Sequence, residues 1–472
     1  MQPVAGLEIH IQLKTQTKAF SASPIDFGGK PNDRASAIDI GMPGTLPVVN
    51  KEMLKQAIIL GSWLNAKTNQ KISFARKHYF YPDLPKGYQI TQDENPILVG
   101  GYLDFDLNGK TIRCQLHHAH LEEDAGKSVH GYQPGTSGVD LNRAGQPLLE
   151  IVTEPCLHSI EEIIAFLKHL HSIVTYLEIC DGNMQEGSFR VDVNVSMREN
   201  SDQPLGTRVE LKNMNSFKFI QKALEFEIDR QMSLIDDGKD VVQETRQFNE
   251  ASGRTESMRG KESAHDYRYF KDPDLPSIWI DQAFIDDALS RLPESPSDRQ
   301  SRYMELGVSK VDATIIAYNK HMGNYFDFLI ENNIQPKPAA NWLLGPMSEL
   351  ANKSNKSFDD LPGSSKHLEE LLKALHDGTV SSKMAKEVLG FMWEEKKPAS
   401  LVIEEKGLKQ LSNEDDIRAI LNQIIDKFPD QTNEYRSGKD KLFGFFVGQA
   451  MKATKGQANP NVLNKLLKEC LK

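Results

Sequence analysis

The amino-acid sequence predicts an α+β chain: a mixed, largely antiparallel β-sheet domain with helices, followed by an all-α connector and a small all-α tail. Three observations carry this expectation. Apolar and polar residues alternate in Val4 to Lys14, Phe189 to Met197 and Thr207 to Lys212, the pattern of strands with one buried face. Ser159 to Ile179 and Asn215 to Asp236 change to the spacing of amphipathic helices. Beyond Leu292 the linker-like PESPSDR is followed by helical periodicity alone.

Each element follows from its residues. In the first strand Leu7, Ile9, Ile11 and Leu13 would face a core, leaving Glu8, His10, Gln12 and Lys14 opposite. The same alternation sets Arg190, Asp192, Asn194 and Ser196 on one face, and Arg208, Glu210 and Lys212 on another. A solvated sheet face ordinarily carries a loose mixture of Lys, Thr and Glu. Here short, specific groups recur, which reads as a ligand-binding surface. Phe20 to Asn50 is rich in turn formers and reads as irregular or lid-like. Lys51 to Asn65 is expected as a helix with Leu54, Ile58 and Trp63 on one side. Arg76 to Gln92, an aromatic and basic loop punctuated by Pro82, Pro85 and Gly87, reads either as a packed Ω-loop or, because Lys77 and Lys86 flank a tyrosine cluster, as the lining of a polar passage. Ser159 is placed to cap the helix that follows, with Glu161 and Glu162 in its first turn. Breaks at Gln335 to Pro338, Asn352 to Pro362 and Glu404 to Gly407 suggest a division into residues 1–292, 293–403 and 404–472.

A chain of 472 residues exceeds a single core, and 39% apolar with 26% charged residues is an ordinary globular composition. No apolar run has membrane-spanning length, and the first residues, MQPVAGLEIH, read as a strand rather than a signal peptide. The four cysteines form no CxxC pair, which argues against a disulfide framework or thiolate zinc site and suits a reducing cytoplasm. The net charge of −10 argues against a protein that coats DNA. Gly438 to Lys472, however, carries seven lysines against Asp440 and Glu469, locally +5, so the tail is where a polyanion would bind.

Chemistry concentrates between Leu116 and Pro155. Glu122, Glu123 and Asp124 stand together, and Glu150 lies between Leu149 and Ile151. Like charges about 4 Å apart repel by up to ~4 kcal/mol at a mid-range dielectric. Convergence of these carboxylates therefore calls for a cation between them, read as Mg²⁺ carrying a nucleotide. Other centres find less support. Ala125 to Ser128 resembles the end of a P-loop but has Leu121 where the first glycine is required. GxSxG is absent, and no cysteine has an activating context. His117, His118 and His120, with Cys114 before them, lack a second ligand pair for zinc and read as strand or surface histidines.

Seven blocks occur in order: GLEIHIQL, HYFYPDLPKGYQI, HLEEDAGK, VDLNRAGQPLLEIVTEP, DGNMQEGSFRVDVNVS, ELKNMNSF and HDYRYF. Together they resemble the B subunit of the bacterial aspartyl/glutamyl-tRNA amidotransferase over essentially the whole chain, and GKDKLFGFFVGQAMKATKGQANPNVLNKLL resembles the YqeY-like tail of that family. The resemblance implies an enzyme that uses ATP and Mg²⁺ to phosphorylate the side-chain carboxylate of Glu on tRNA(Gln) or Asp on tRNA(Asn). Ammonia, released from glutamine on a separate amidase subunit and carried through a polar tunnel, then displaces the phosphate. A small third subunit clamps the two large ones.

Residue by residue, the resemblance assigns Glu8 and His10 to a metal-binding strand, Glu123 to the tunnel mouth beside the metal, and Glu150 to the acidic position within the family signature. Glu8, His10, Glu123 and Glu150 are the expected metal ligands. Lys77 and Lys86 match the tunnel-lining loop. Asp192 and Glu210 lie on matching strands, with Arg190 and Arg208 as candidates for phosphate. Lys452 and Lys455 are candidates for tRNA contact. Two departures stand out. Phe20 to Met42 contains no cysteine where many relatives carry a zinc knuckle, so no structural zinc is expected, and Lys271 stands where a proline is usual. The rival readings are a ligase acting on a small free carboxylate and a non-catalytic scaffold that presents tRNA.

Overall fold

Strand β1 (Gln2–Gln12) runs through the middle of a ten-stranded sheet. The computed structural model describes the chain apart from residues 27, 132–134, 201, 259–266, 355, 357, 359–364, 412 and 455. The chain divides into two units, Met1–Pro293 and Glu294–Lys472. In chain order the first unit continues with α1 (Lys51–Trp63), β2 (Lys67–Thr68), β3 (Lys71–Ile72), β4 (Ala75–His78), β5 (Tyr88–Thr91), β6 (Leu98–Val99), β7 (Tyr102–Leu107), β8 (Lys110–Glu123), β9 (Lys127–His130), β10 (Ser137–Asp140) and β11 (Pro147–Thr153). It ends with α2 (Ile160–Tyr176), β12 (Phe189–Arg198), β13 (Val209–Lys212), α3 (Phe217–Asp236), β14 (Thr245–Asn249), β15 (Arg254–Ser257), β16 (Phe270–Lys271), β17 (Ile278–Trp279) and α4 (Gln282–Leu289).

The large sheet has the order β15-β14-β13-β12-β1-β11-β8-β6-β2, with β7 on β8. Only β13 and β14 run parallel among its described pairings. The alternation read from sequence sets its register. Leu7, Ile9 and Ile11, Leu149 and Ile151, and Val191, Val193 and Val195 form one buried face, joined in a single core with Phe166, Leu170, Ile220 and Leu224 from α2 and α3. Each such side chain contributes roughly 1.5–3 kcal/mol on burial. A slip of one residue would turn all of them to the other face, so the register of the polar face is fixed by the apolar one.

The two covering helices begin where their caps dictate. The Ser159 hydroxyl accepts the N–H of Glu162 at 3.1 Å, and the Glu162 carboxylate accepts that of His158 at 2.7 Å. This is the reciprocal arrangement of a capping box displaced by one residue. Ser216 accepts from the N–H of Phe219 at 3.1 Å to open α3.

The stretch from Arg76 to Gln92 is a hairpin rather than an Ω-loop. β4 and β5 pair antiparallel, with Phe270 and Lys271 added on the outer edge of β4. The prolines are confined to the connection, while Ala75, Ile90 and Thr91 are buried and hold the strands down. Phe20 to Asn50, among its described residues, contains nothing longer than an isolated bridge between Thr17 and Pro24.

The second unit is helical and contains two separate apolar clusters, one built from residues between Tyr303 and Ile403 and one between Ile417 and Leu471. The predicted break at Gln335 is a helix start, with Pro336 in the first turn where its missing N–H costs nothing. Among the described residues no helix is long and apolar enough to cross a membrane.

Candidate active site

The face of the sheet opposite the apolar core gathers its chemistry from five strands. In the ladders around β1, His10 stands opposite Arg190 on one side and Glu150 on the other, while Glu8 stands opposite Asp192. Glu150 in turn stands opposite His120 of β8, and Asn194 opposite Glu210 of β13. Residues two apart on a strand share a face, so Glu122 joins His120 and Lys212 joins Glu210.

Two clusters result. In the first, His10 Nε2 lies 3.0 Å from Glu150 and 3.4 Å from Glu122, and His120 Nε2 lies 3.4 Å from Glu150 and 3.8 Å from Glu122. Burial alone would strip the proton from His10, but its hydrogen bonds to Glu122 and Glu150 prevail and push its pKa up to about 10. His120 is raised for the same reason. Burial works against the charged forms of Glu122 and Glu150 too, yet the two imidazoles hold both carboxyls below the usual range. Behind His120 the ring of His118 stacks at 5.2 Å, and burial beside two other histidines lowers its pKa to about 4.

In the second cluster Glu8, Asp192 and Glu210 present carboxylate oxygens within 4.8 Å of one another, as His10, Glu122 and Glu150 do with their own ligand atoms. The Lys212 ammonium sits among the three acids, 2.6 Å from Asp192 and 2.9 Å from Glu210, and Asn194 donates to Glu8 at 3.0 Å. Burial, and then the charge of Glu150, raises the Glu8 carboxyl despite Lys212. An all-oxygen set of three carboxylates has the chemistry of a Mg²⁺ site, whereas the imidazole in the first set also admits softer divalent ions.

Arg190 reaches the same face. Its Nη2 lies 3.3 Å from Asp124, which also accepts from Gln12 at 3.1 Å, and its buried Nε has no hydrogen-bond partner. A partly exposed guanidinium whose buried Nε is a spare donor, beside a cation site, suits a phosphate.

The structure thus separates residues that were expected in one centre. Glu123, one residue beyond Glu122, turns away from His10 and Glu150. Its carboxylate pairs with the Lys86 ammonium and accepts the Ile90 N–H at 3.0 Å, with side-chain exposures of 3% and 7% for Glu123 and Lys86. Glu122 takes the position expected of Glu123, and Glu8 belongs with Asp192 and Glu210. Lys77 lies on β4 with its ammonium 4.9 Å over the Tyr267 ring rather than beside Glu123. Arg208 is exposed just before β13, and Lys452 is exposed in the last turn of the helix Phe443–Ala453. Lys455 lies outside the described residues. Sequence reasoning named Glu122 among the acids and Lys212 on a polar strand face but gave neither a site role, and it read His120 as a strand or surface histidine. The signal was present as His120-x-Glu122-x-Asp124, three polar groups two apart that run from β8 to the residue just past its end.

The family model for the GatB/GatE catalytic domain matches residues 3–286, and that for the GatB domain matches residues 324–471. Three curated relatives are named as B subunits of aspartyl/glutamyl-tRNA(Asn/Gln) amidotransferase. The protein of Thioalkalivibrio sulfidiphilus is 48% identical over 100% of this chain and 99% of its own. That of Geotalea daltonii is 49% identical over 98% of each chain, and that of Coxiella burnetii 47% identical over 100% and 99%. A solved structure, the tRNA binding domain of glutaminyl-tRNA synthetase from Saccharomyces cerevisiae, covers 38% of this chain and 93% of its own at 15% identity, with a TM-score of 0.26, too low to bear on the fold. The chain belongs to the family of aspartyl/glutamyl-tRNA(Asn/Gln) amidotransferase B subunits.

Proposed function

We propose that this chain activates and amidates the side-chain carboxylate of Glu carried on tRNA(Gln), or of Asp carried on tRNA(Asn), in the cytoplasm. It would do so in a complex with a glutamine-hydrolysing amidase subunit and a small third subunit. The observation that carries this reading is the pair of acid clusters on one sheet face, with Glu123 at the end of β8 in a buried pair with Lys86 of the β4–β5 connection.

Glu8, Asp192 and Glu210 would hold Mg²⁺, with His10, Glu122 and Glu150 as a second divalent site. When bound, the cation neutralises charge on the phosphates of ATP during phosphoryl transfer. The protein's own groups position the reactants. The spare donor of Arg190 points to a phosphate contact, and Lys212 leaves the acids for the nucleotide or stays as a further positive charge. The substrate carboxylate attacks the γ-phosphorus, ADP departs, and an acyl phosphate forms on the aminoacyl group. Ammonia then attacks the acyl carbon and inorganic phosphate leaves, while the proton lost from nitrogen passes to a carboxylate.

Glu123 is placed to take that proton, because its contacts with the Lys86 ammonium and the Ile90 N–H fix the direction in which its carboxylate points. The amide product requires that ammonia arrive unprotonated, which a buried, water-poor approach past Lys86 favours. The basic end of the second unit, including Lys452, would carry the tRNA.

The test is Glu123→Gln in the reconstituted complex. Glutamine hydrolysis should continue while amide formation on tRNA falls by at least about a hundredfold. Amide formation at the wild-type rate would overturn the role of Glu123.

A further inference from the structure

Cys114 and Cys156, 42 residues apart in sequence, meet at the end of the β8–β11 ladder remote from Glu122, with their sulfur atoms 3.6 Å apart. Cys114 is on β8 and fully buried, whereas Cys156 follows β11 and is half-buried. The ladder shifts register between Val152 and Thr153, and beyond the shift the Glu154 N–H donates to the Gln115 carbonyl at 2.9 Å. The Gln115 N–H donates to the Cys156 sulfur at 3.3 Å. A disulfide needs its sulfur atoms at about 2.05 Å, so closure requires a movement of roughly 1.5 Å at a point where the strand is already irregular. Neither thiol touches the acid clusters, and the reaction proposed above uses neither.

We propose that Cys156 is a peroxide-reactive thiol resolved by Cys114, so that oxidation closes a reversible disulfide between β8 and the segment after β11. The Cys156 thiolate attacks one oxygen of hydrogen peroxide, the O–O bond breaks, and hydroxide leaves a sulfenic acid on Cys156. The Cys114 sulfur then attacks that sulfur, the S–O bond breaks, and water departs with the Cys114 proton. Each cysteine is oxidised by one electron and the peroxide is reduced by two. A dithiol reductant reverses the bridge.

The surroundings divide the roles. Cys156 is lowered to about 7 by hydrogen bonding with Cys114, opposed by burial, and helped by the Gln115 N–H, while Glu154 and Glu162 oppose its ionisation. Cys114 is pushed upward by the same contact and by its burial, with the Thr153 hydroxyl working the other way and Glu162 adding to the rise. The half-buried thiol is therefore the one that meets oxidant, and the buried one keeps its proton until the sulfenic acid forms. Cys180 is buried and raised to about 12, which makes it an internal control.

The experiment treats the full-length chain with hydrogen peroxide and maps its peptides without reduction. The expected product links the Cys114 and Cys156 peptides, leaves Cys180 and Cys470 as thiols, and returns to four thiols with dithiothreitol. Cys156→Ser should slow oxidation of Cys114 by about tenfold or more. Cys114→Ser should leave a sulfenic acid on Cys156 that dimedone traps. A wild-type map in which this pair stays reduced while Cys470 oxidises would overturn the proposal without reference to any variant. So would Cys114 oxidation at an undiminished rate in Cys156→Ser.

Discussion

Removing Lys86 tests whether the Glu123 carboxylate depends on its buried partner. Lys86 and Glu123 are 7% and 3% exposed at their side chains, and the remaining support for the carboxylate is the Ile90 N–H at 3.0 Å. Lys86→Met keeps the stem and deletes the charge, leaving a buried anion with one neutral donor. Breaking a buried pair in this way costs about 3–5 kcal/mol. Removing both charges avoids the stranded ion, so Lys86→Met with Glu123→Gln should recover most of that loss, to within about 1 kcal/mol of wild type.

Urea unfolding of the first unit, followed by hydrogen exchange in peptides covering β5 and β8, reports the effect separately from the helical unit. The single variant should lower the midpoint by about 1 M or more, given denaturant slopes of about 3 kcal/mol/M for a unit of this size. A single-variant loss below about 1 kcal/mol, or a double variant that is worse than the single, would refute the reasoning.

Three further outcomes follow from the same structure. In metal-free protein the protonated His10 is stabilised by Glu122 and Glu150, with its pKa raised to about 10. Its stabilising contribution is full below the unfolded value of about 6.5 and is lost as pH rises through about 10. Glu122→Gln should lower the His10 titration seen by NMR and flatten that fall in stability. Glu227, fully buried, accepts from Arg230 at 2.7 and 2.9 Å and from Gln231 at 2.9 Å, and lies 3.3 Å from Arg246. Glu227→Ala, which strands these donors, should cost about 3 kcal/mol or more in urea unfolding. Lys452→Ala should weaken tRNA binding and reduce the slope of log affinity against log salt by about 0.7–0.9 if that lysine meets a phosphate.

Much of the polar face was legible because alternation is a property of single strands. Glu8, His10, Arg190, Asp192 and Glu210 could each be assigned to a face from their neighbours alone. What was not legible depends on pairing between strands. Nothing local to Lys212 says that it reaches Asp192, since the contact arises from the β12–β13 register. The proximity of Cys114 and Cys156 likewise comes from β8 lying beside β11.

Glu122 and Glu123 show the converse error. Three consecutive acids read as one cluster, although residues adjacent on a strand point to opposite faces and cannot all ligate one ion. The hairpin of β4 and β5 was hidden for another reason. Its prolines and glycine dominate the composition of the stretch but occupy only its connection, and the strands are held by the burial of Ala75, Ile90 and Thr91.

The most direct test of the central claim is divalent cation binding at the acid face, with Mn²⁺ as a paramagnetic probe for Mg²⁺. Titration of the full-length chain with Mn²⁺ in the presence of ATP, followed by electron paramagnetic resonance, should show tight binding that Mg²⁺ displaces. Asp192→Asn and Glu210→Gln should each weaken it by about tenfold or more. Binding of wild-type strength in both variants would contradict the assignment of Glu8, Asp192 and Glu210 as the nucleotide's cation site.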